Sequence, residues 1–427
     1  MYKLVLSLLV LAVASCGNSS NSPDTNDSGA APVPLPEGVI EVAQLQYRGA
    51  FRLSDDDFGA SSANAAIGAM AYNPDNHSIF IAGHSRDRAV AEFAIPEVLD
   101  RPTLEELNLV STPLQEFVSF LGSVSNPDQI DRVTGMFYLD GKLIVNAEKW
   151  YDGDADNTDT TLVIHDASNM ASSAISGYYK MTRGAEAAGY IARIPEEWQS
   201  SFGSAFMTGW SAVYSINSRY SIGPSLFTFD AESLVAGGFG NSGPVTARPF
   251  MNFSYSDDTW LTPDALDHGN PGIGASALWN HLSEGVYGFI VPGTNTFAVF
   301  GSSGGINSGI GYKPTQDTGY TCPGYCTYIA SDNYNYYWLF DIRDILRANQ
   351  PHLVQPYAYG PFSIPFDNNG GSAIIGGTFD PDTRMLYLAL DRAGGVDRYD
   401  RTPLIVVYEI PMFELSSNVD GNKIIMH

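Results

Sequence analysis

Carboxylates recur in one kind of place along this chain. Asp55-Asp56-Asp57, the pair Asp128 and Asp131, Glu186, the run Asp257, Asp258, Asp264 and Asp267 with His268, and Asp367 each stand in a polar stretch just ahead of an apolar, strand-like segment. Paired carboxylates facing one another across a pocket perform general-acid and nucleophile or base work on a glycosidic bond. Cations recur in a second place, just past another set of strand-like segments: His84-Ser85-Arg86, Glu148-Lys149-Trp150-Tyr151, Arg219-Tyr220, Asp391-Arg392 and Arg398-Tyr399. Lys and Arg total only 22 in 427 residues, so this clustering is informative. Guanidinium groups grip carboxylate or sulfate bidentately, and the aromatic neighbours can stack on sugar rings. His84, Arg86, Lys149, Trp150, Arg219, Tyr220, Arg392 and Arg398 are the candidate ligand-binding residues. The competing structural reading is that these cations pair with neighbouring Asp residues and hold loops together.

Two further constellations have chemical content. Asp152-Gly153-Asp154-Ala155-Asp156-Asn157-Thr158 alternates oxygen ligands as a calcium loop does, with Asp152, Asp154, Asp156 and Thr158 as the donors. It departs from the helix-loop-helix pattern at Asn157, where Gly is usual, and at Val163, where the bidentate Glu belongs. Calcium is thus the candidate cofactor, against a solvated acidic turn. Cys322-Pro-Gly-Tyr-Cys326 predicts a small disulfide pinning a loop. Two glycine-rich hits carry nothing. Gly301-Ser-Ser-Gly-Gly305 lacks the helix that a nucleophile elbow needs, and Gly238–Gly243 is followed by Pro244 rather than by a helix.

The elements that must position these residues repeat. Phe93-Ala-Ile-Pro96, Ile164-His-Asp-Ala167, Phe229-Asp-Ala231, Phe340-Asp-Ile342 and Tyr408-Glu-Ile-Pro411 are variants of one strand phrase, at intervals of 72, 64, 111 and 68 residues. Small four-stranded sheets that cannot fold alone bury their faces by packing around one axis. The fold class is all-β: a β-propeller of five blades, with the 111-residue interval long enough to hide a sixth. The first and last units share an Asn/Asp-Pro-Asp turn between strands, at Asn73–Asn76 and Asp380–Thr383. Gly49-Ala-Phe-Arg-Leu53 echoes Gly360-Pro-Phe-Ser-Ile364, an outer strand, so the N-terminal segment is expected to complete the last blade and remove an open edge. The third unit is read as a short helix at Ile194–Gln199 followed by strands at 205–208, 212–216 and 225–229. In a propeller, the carboxylate loops and the cation loops lie on one face and converge near the axis.

Composition sets limits. The net charge of −25 disfavours a nucleic-acid partner. Lys3 followed by the apolar run Leu4–Val13 is too short to span a bilayer as a helix. It leads into Val13-Ala-Ser-Cys16-Gly17, which resembles the bacterial lipobox. That resemblance implies a signal peptide over 1–15, lipidation of Cys16 and, without Asp at the next position, an outer-membrane destination in a Gram-negative-type bacterium. Residues 16–38 read as a disordered tether with a reach of roughly 25 Å, and 39–427 as a single propeller domain.

The blade layout resembles five-bladed arabinanase-type glycosidases, which draw an Asp, an Asp and a Glu from successive blades; the resemblance assigns that role to Asp57, Asp131 and Glu186, with no motif around them. The sequence expectation is a lipid-anchored propeller binding a glycan, neutral or anionic, on its loop face. The alternatives are a glycoside hydrolase or lyase using the loop carboxylates, and an envelope scaffolding protein.

Overall fold

In the computed structural model, residues 35–154, 156–210, 221–240, 242–397 and 399–413 are described. Their strands form five blades of four antiparallel strands. Blade 1 runs outward through Met70–Asn73, Ser78–Ala82, Ala89–Ala94 and Gln115–Ser119. Blade 2 uses Arg132–Leu139, Lys142–Glu148, Asp159–Ile164 and Ile175–Lys180. Blade 3 uses Tyr190–Arg193, Phe206–Gly209, Leu226–Thr228 and Arg248–Met251. Blade 4 uses Glu284–Ile290, Thr296–Gly304, Asn333–Asp341 and Ala358–Pro361. Blade 5 takes Ile374–Asp380, Met385–Leu390 and Leu404–Glu409 from the C-terminal part. Its fourth strand is Gln46–Leu53, paired antiparallel from Gln46 opposite Glu409 to Arg52 opposite Leu404. The ring is therefore closed by the two ends of the folded chain, as the echo at Gly49–Leu53 predicts.

The shared turn chemistry is also present. Asp75 donates its backbone N–H to Asn73 Oδ1 at 3.0 Å, and Asp382 does the same to Asp380 Oδ1 at 3.0 Å. In both turns the fifth residue, His77 or Arg384, is left-handed, with φ of 47° and 63°. Aromatic pairs bridge every junction between blades: Tyr72–Tyr387, Phe80–Tyr138, Phe137–Phe206, Tyr190–Tyr287 and Phe289–Phe379. Each places a large apolar face where two sheets meet, which is the burial a single blade cannot achieve.

One sequence expectation changes. The first strand of blade 3 is Tyr190–Arg193, so the helix (Glu196–Phe202) lies between that blade's first two strands rather than ahead of it. A four-residue strand running into Pro195 leaves too little alternation to see. The strand expected at 212–216 lies outside the described residues. The 111-residue interval holds no sixth blade among the described residues; it is filled by a short helix (Ala231–Val235), the connection 252–283, and a hairpin of Ile310–Tyr312 with Tyr325–Thr327 that carries the Cys322–Cys326 disulfide. The segment ahead of blade 1's outer strand joins another blade. Gln115–Ser119 stays in blade 1, while Leu109–Val110 pairs in parallel with Arg52 and Leu53 of blade 5.

The blades meet closely at the axis. A Cβ on Gly135 would lie 1.9 Å from Gly189 O, and one on Gly376 would lie 1.9 Å from Gly68 O. Met70, Met136, Tyr190 and Tyr287 leave a void of about 10 Å³ there, room for no more than about one water. The two mouths of the axis are thus separate surfaces.

Candidate functional site

The loop face is where first strands begin and second strands end. In blade 2 those positions are Arg132 and Glu148, which the ladder sets directly opposite each other. Glu148 follows Asn146 by two residues, so both point to the same side of the sheet, toward blade 3. Asn146 Nδ2 donates to Gly189 O at 2.9 Å and to Thr208 Oγ1 at 3.1 Å, and Thr161 Oγ1 donates to Asn146 Oδ1 at 2.8 Å. Thr134 Oγ1 adds a bond to Ala188 O at 2.6 Å. This polar belt fixes blade 2 against the turn that leads into blade 3, and it leaves Glu148 at the rim of the belt.

Glu148 is 0% exposed. Trp210, at the end of blade 3's second strand, donates Nε1–H to its Oε2 at 3.2 Å. Its Oε1 has no hydrogen-bond partner among the described residues. Burial pushes this carboxyl up to about 8; Arg132 and the Trp210 bond oppose the shift, while the negative charges of Asp131 and Glu284 reinforce it. Glu284 opens the first strand of blade 4, so a second blade contributes to the same field. Arg132 is pulled below the usual guanidinium value by burial, against the opposing pull of Glu148, Asp131 and Glu284. Its guanidinium lies 3.7 Å from the ring centroid of Trp150, and its buried Nε is unpartnered among the described residues. Asp131 Oδ1 accepts the backbone N–H of Trp150 at 2.8 Å, and the Asp131 N–H donates to Glu148 O at 2.9 Å. A half-buried indole, a guanidinium, a buried carboxyl pushed up by that burial and a second carboxyl are therefore assembled from two short stretches of blade 2.

Of the carboxylates singled out in the sequence, Asp131 stands in this assembly. Glu186 lies in a 3-10 turn (Gly184–Glu186) on the same face. It is engaged by Arg183 Nε at 2.8 Å, Asn252 Nδ2 at 3.1 Å and Ser254 Oγ at 2.5 Å, with Arg183 also bridging to Asp257 at 2.8 Å. Asp57 is exposed in a two-residue strand paired with Ser61–Ser62, beside Phe117 of blade 1's outer strand. Among the cations, Lys149 and Trp150 follow Glu148 directly. His84 Nδ1 accepts the Arg86 backbone N–H at 3.2 Å and stands 3.8 Å from Asp87, while the Arg86 side chain is exposed. Arg392 is exposed, left-handed at φ 55°, and 3.5 Å from Asp391. Cys16, Arg219, Tyr220 and Arg398 lie outside the described residues.

In the loop expected to take calcium, Asp152 is buried and its Oδ2 accepts the backbone N–H groups of Asp156 and Asn157 at 3.0 and 3.3 Å. Asp154 and Asp156 are exposed, and the Asp152 charge pushes the Asp156 carboxyl up. Thr158 turns its hydroxyl to Asp159 at 2.9 Å, and its N–H to Asp128 at 2.7 Å. No group of three His, Cys, Asp or Glu residues placed to hold a metal occurs among the described residues.

Arg132, Glu148, Glu284 and Trp210 are absent from the sequence-based set. The readable signal is the pair Asn146 and Glu148, polar at i and i+2 in an otherwise apolar strand. The opposite mouth is a depression of about 880 Å³, lined by first-to-second-strand turns that bring Tyr72, Tyr138, Arg193, Glu196, Phe379 and Asp382 to one surface.

No family model and no curated protein matches this chain. Among solved structures, a glycosyl hydrolase from Bacteroides ovatus aligns with a TM-score of 0.36 and 11% identity, covering 90% of this chain and 92% of that one. Hydrazine synthase from Kuenenia stuttgartiensis gives 0.31 and 13%, covering 75% of this chain; this chain spans only 60% of its length. The WD40 propeller domain of Doa1 gives 0.29 and 9%, with 85% and 94% covered. At these scores and identities the likenesses assign no activity.

Proposed function

We propose that this chain is a lipid-anchored, extracytoplasmic propeller that binds a glycan at the loop-face mouth of its axis. The observation that carries this reading is the Arg132–Trp150–Asp131 assembly beside Glu148. Asp131 holds the backbone of Trp150, and Arg132 holds its ring. An indole positioned in this way offers a flat apolar surface to a sugar ring, and the guanidinium and carboxylate offer partners for its hydroxyls. The cations Arg86, Lys149 and Arg392 on the same set of loops extend the reading to acidic glycans.

Affinity electrophoresis in gels containing single polysaccharides tests this. Trp150→Ala is expected to weaken retardation by roughly tenfold or more, since it removes the stacking surface and the support of Arg132. Unchanged retardation in the variant counts against the site. The anchor has its own test: Cys16→Ala is expected to move the protein from the membrane pellet to the soluble fraction, because stable attachment depends on the lipid. A protein that stays in the pellet contradicts it.

A second reading is a carbohydrate-active enzyme: burial beneath Trp210 pushes the Glu148 carboxyl up, the direction a general acid needs.

A further inference from the structure

The mouth of the axis opposite the loop face is a depression of about 880 Å³, within the range of roughly 300–1,000 Å³ that small-molecule sites occupy. The void of about 10 Å³ at the axis leaves it closed off from the loop face. Four half-buried aromatic side chains line it: Tyr72, Phe137, Tyr138 and Phe379. Each is braced by a neighbour. Tyr72 stacks on Tyr387 at 6.1 Å, Tyr138 on Phe80 at 6.2 Å and Phe379 on Phe289 at 4.8 Å, and Phe137 meets Phe206 edge to face at 5.6 Å. Held in this way, the rings form a fixed apolar lining that the fold leaves in contact with water, and a ligand that covers it gains the free energy of that burial.

Charge selects the ligand. Asp75, Asp140, Glu196, Glu197, Asp380 and Asp382 line the depression, with Arg193 as the one cation among its lining residues. The Arg193 guanidinium lies against the Phe206 ring, 4.8 Å from its centroid. Three of the carboxylates serve the fold. Asp75 accepts from the Tyr138 hydroxyl at 2.5 Å, Glu197 from the Gly293 N–H at 2.7 Å and Asp380 from the Asp382 N–H at 3.0 Å. Asp140, Glu196 and Asp382 are exposed, and their carboxylates have no ion pair or hydrogen bond among the described residues. They follow the first strands of blades 2, 3 and 5, so they stand at different points around the aromatic lining. Ring faces attract ammonium groups through their quadrupole and carboxylates do so through charge, while both disfavour anions.

We propose that this mouth is a second ligand site, which takes a small organic cation. Its carbon chain lies over Tyr72, Tyr138 and Phe379, and its two or more ammonium groups meet Asp140, Glu196 and Asp382. The concave shape favours a free amine over a basic segment of a partner protein. This site is independent of the glycan reading.

Isothermal titration of the whole chain with spermidine, at low and at physiological salt, tests the proposal. One-to-one binding that weakens as salt is raised is expected, with none for a hexanediol, an uncharged chain of similar length. The double variant Glu196→Gln with Asp382→Asn is expected to bind spermidine roughly tenfold more weakly and to melt with the wild type, since both side chains are exposed. A chain of net charge −25 collects cations loosely, but removing two of its 47 acidic residues barely alters that background. Unchanged affinity in the double variant therefore overturns the proposal. Phe379→Leu keeps an apolar side chain and removes the ring, and is expected to weaken binding by roughly threefold to tenfold. Failure of the wild type to bind spermidine overturns the site, and a hexanediol bound as tightly as spermidine overturns its preference for cations. A tetralysine peptide bound far more tightly than spermidine overturns the small-molecule assignment in favour of a protein partner.

Discussion

Gly135→Val is expected to destabilise the propeller by about 3–5 kcal/mol, because it inserts a branched side chain where two blades meet backbone to backbone. A Cβ at this position lies 1.9 Å from Gly189 O, 2.4 Å from its carbonyl carbon and 2.8 Å from Tyr190 N, none of which can rotate out of the way. Retreat of the 184–189 turn would break the bonds that hold it, from Thr134 to Ala188 O and from Asn146 to Gly189 O. The alternative is to open the junction between blades 2 and 3. In a closed ring, one widened junction must be absorbed by the other four or by the pairing of Gln46–Leu53 with Leu404–Glu409. Urea unfolding of G135V against Gly122→Val checks this. Gly122 has nothing within 4 Å of its would-be Cβ and no positive φ, so its variant is expected to stay within about 0.5 kcal/mol of wild type. Equal midpoints for the two variants would show that the axis tolerates looser packing than this geometry describes.

The same close packing explains what could be read from the residues alone. Blades 1 and 5 were legible because their turns use a strong local code, Asn or Asp accepting an amide two residues on, with Pro between. The closing strand was legible because Phe51 and Leu53, each 0% exposed, keep the apolar spacing of an outer strand. Blade 3 was less so: Tyr190–Arg193 is short, and the residues that complete its burial, among them Tyr287 of blade 4, are far away in the chain. The site divides in the same way. Asp131 and Trp150 could be found because they lie in loops, where polar residues are read as candidates. Glu148 and Arg132 sit at strand ends, where a charge is ordinarily read as solvent-facing. What makes Glu148 unusual is Trp210, 62 residues on in sequence and brought over it by the neighbouring blade. Pairings of that kind are set by blade packing, not by local spacing.

The buried acid also leaves a signature in stability. Glu148 has a folded-state value of about 8 against an ordinary 4.5. Between these two values the folded chain holds a proton that the unfolded chain has released, so this group's contribution is fully present below pH 4.5 and is lost as pH rises to about 8. The loss is about 1.4 kcal/mol per pH unit, roughly 5 kcal/mol across the window. Gln at 148 cannot ionise and keeps an oxygen for the Trp210 N–H. The difference in unfolding free energy between E148Q and wild type is therefore expected to grow in favour of E148Q from pH 4.5 to 8, and to be flat below and above. In thermal melts of a chain this size, that difference amounts to about 6 °C at pH 8 relative to pH 4.5. Comparing the two proteins at each pH cancels the many other carboxylates of a chain with a net charge of −25. Parallel pH profiles for the two would mean that Glu148 ionises in the folded state as readily as in water. The burial that sets Glu148 beneath Trp210 at the rim of blade 2 therefore costs the fold roughly 5 kcal/mol above pH 8.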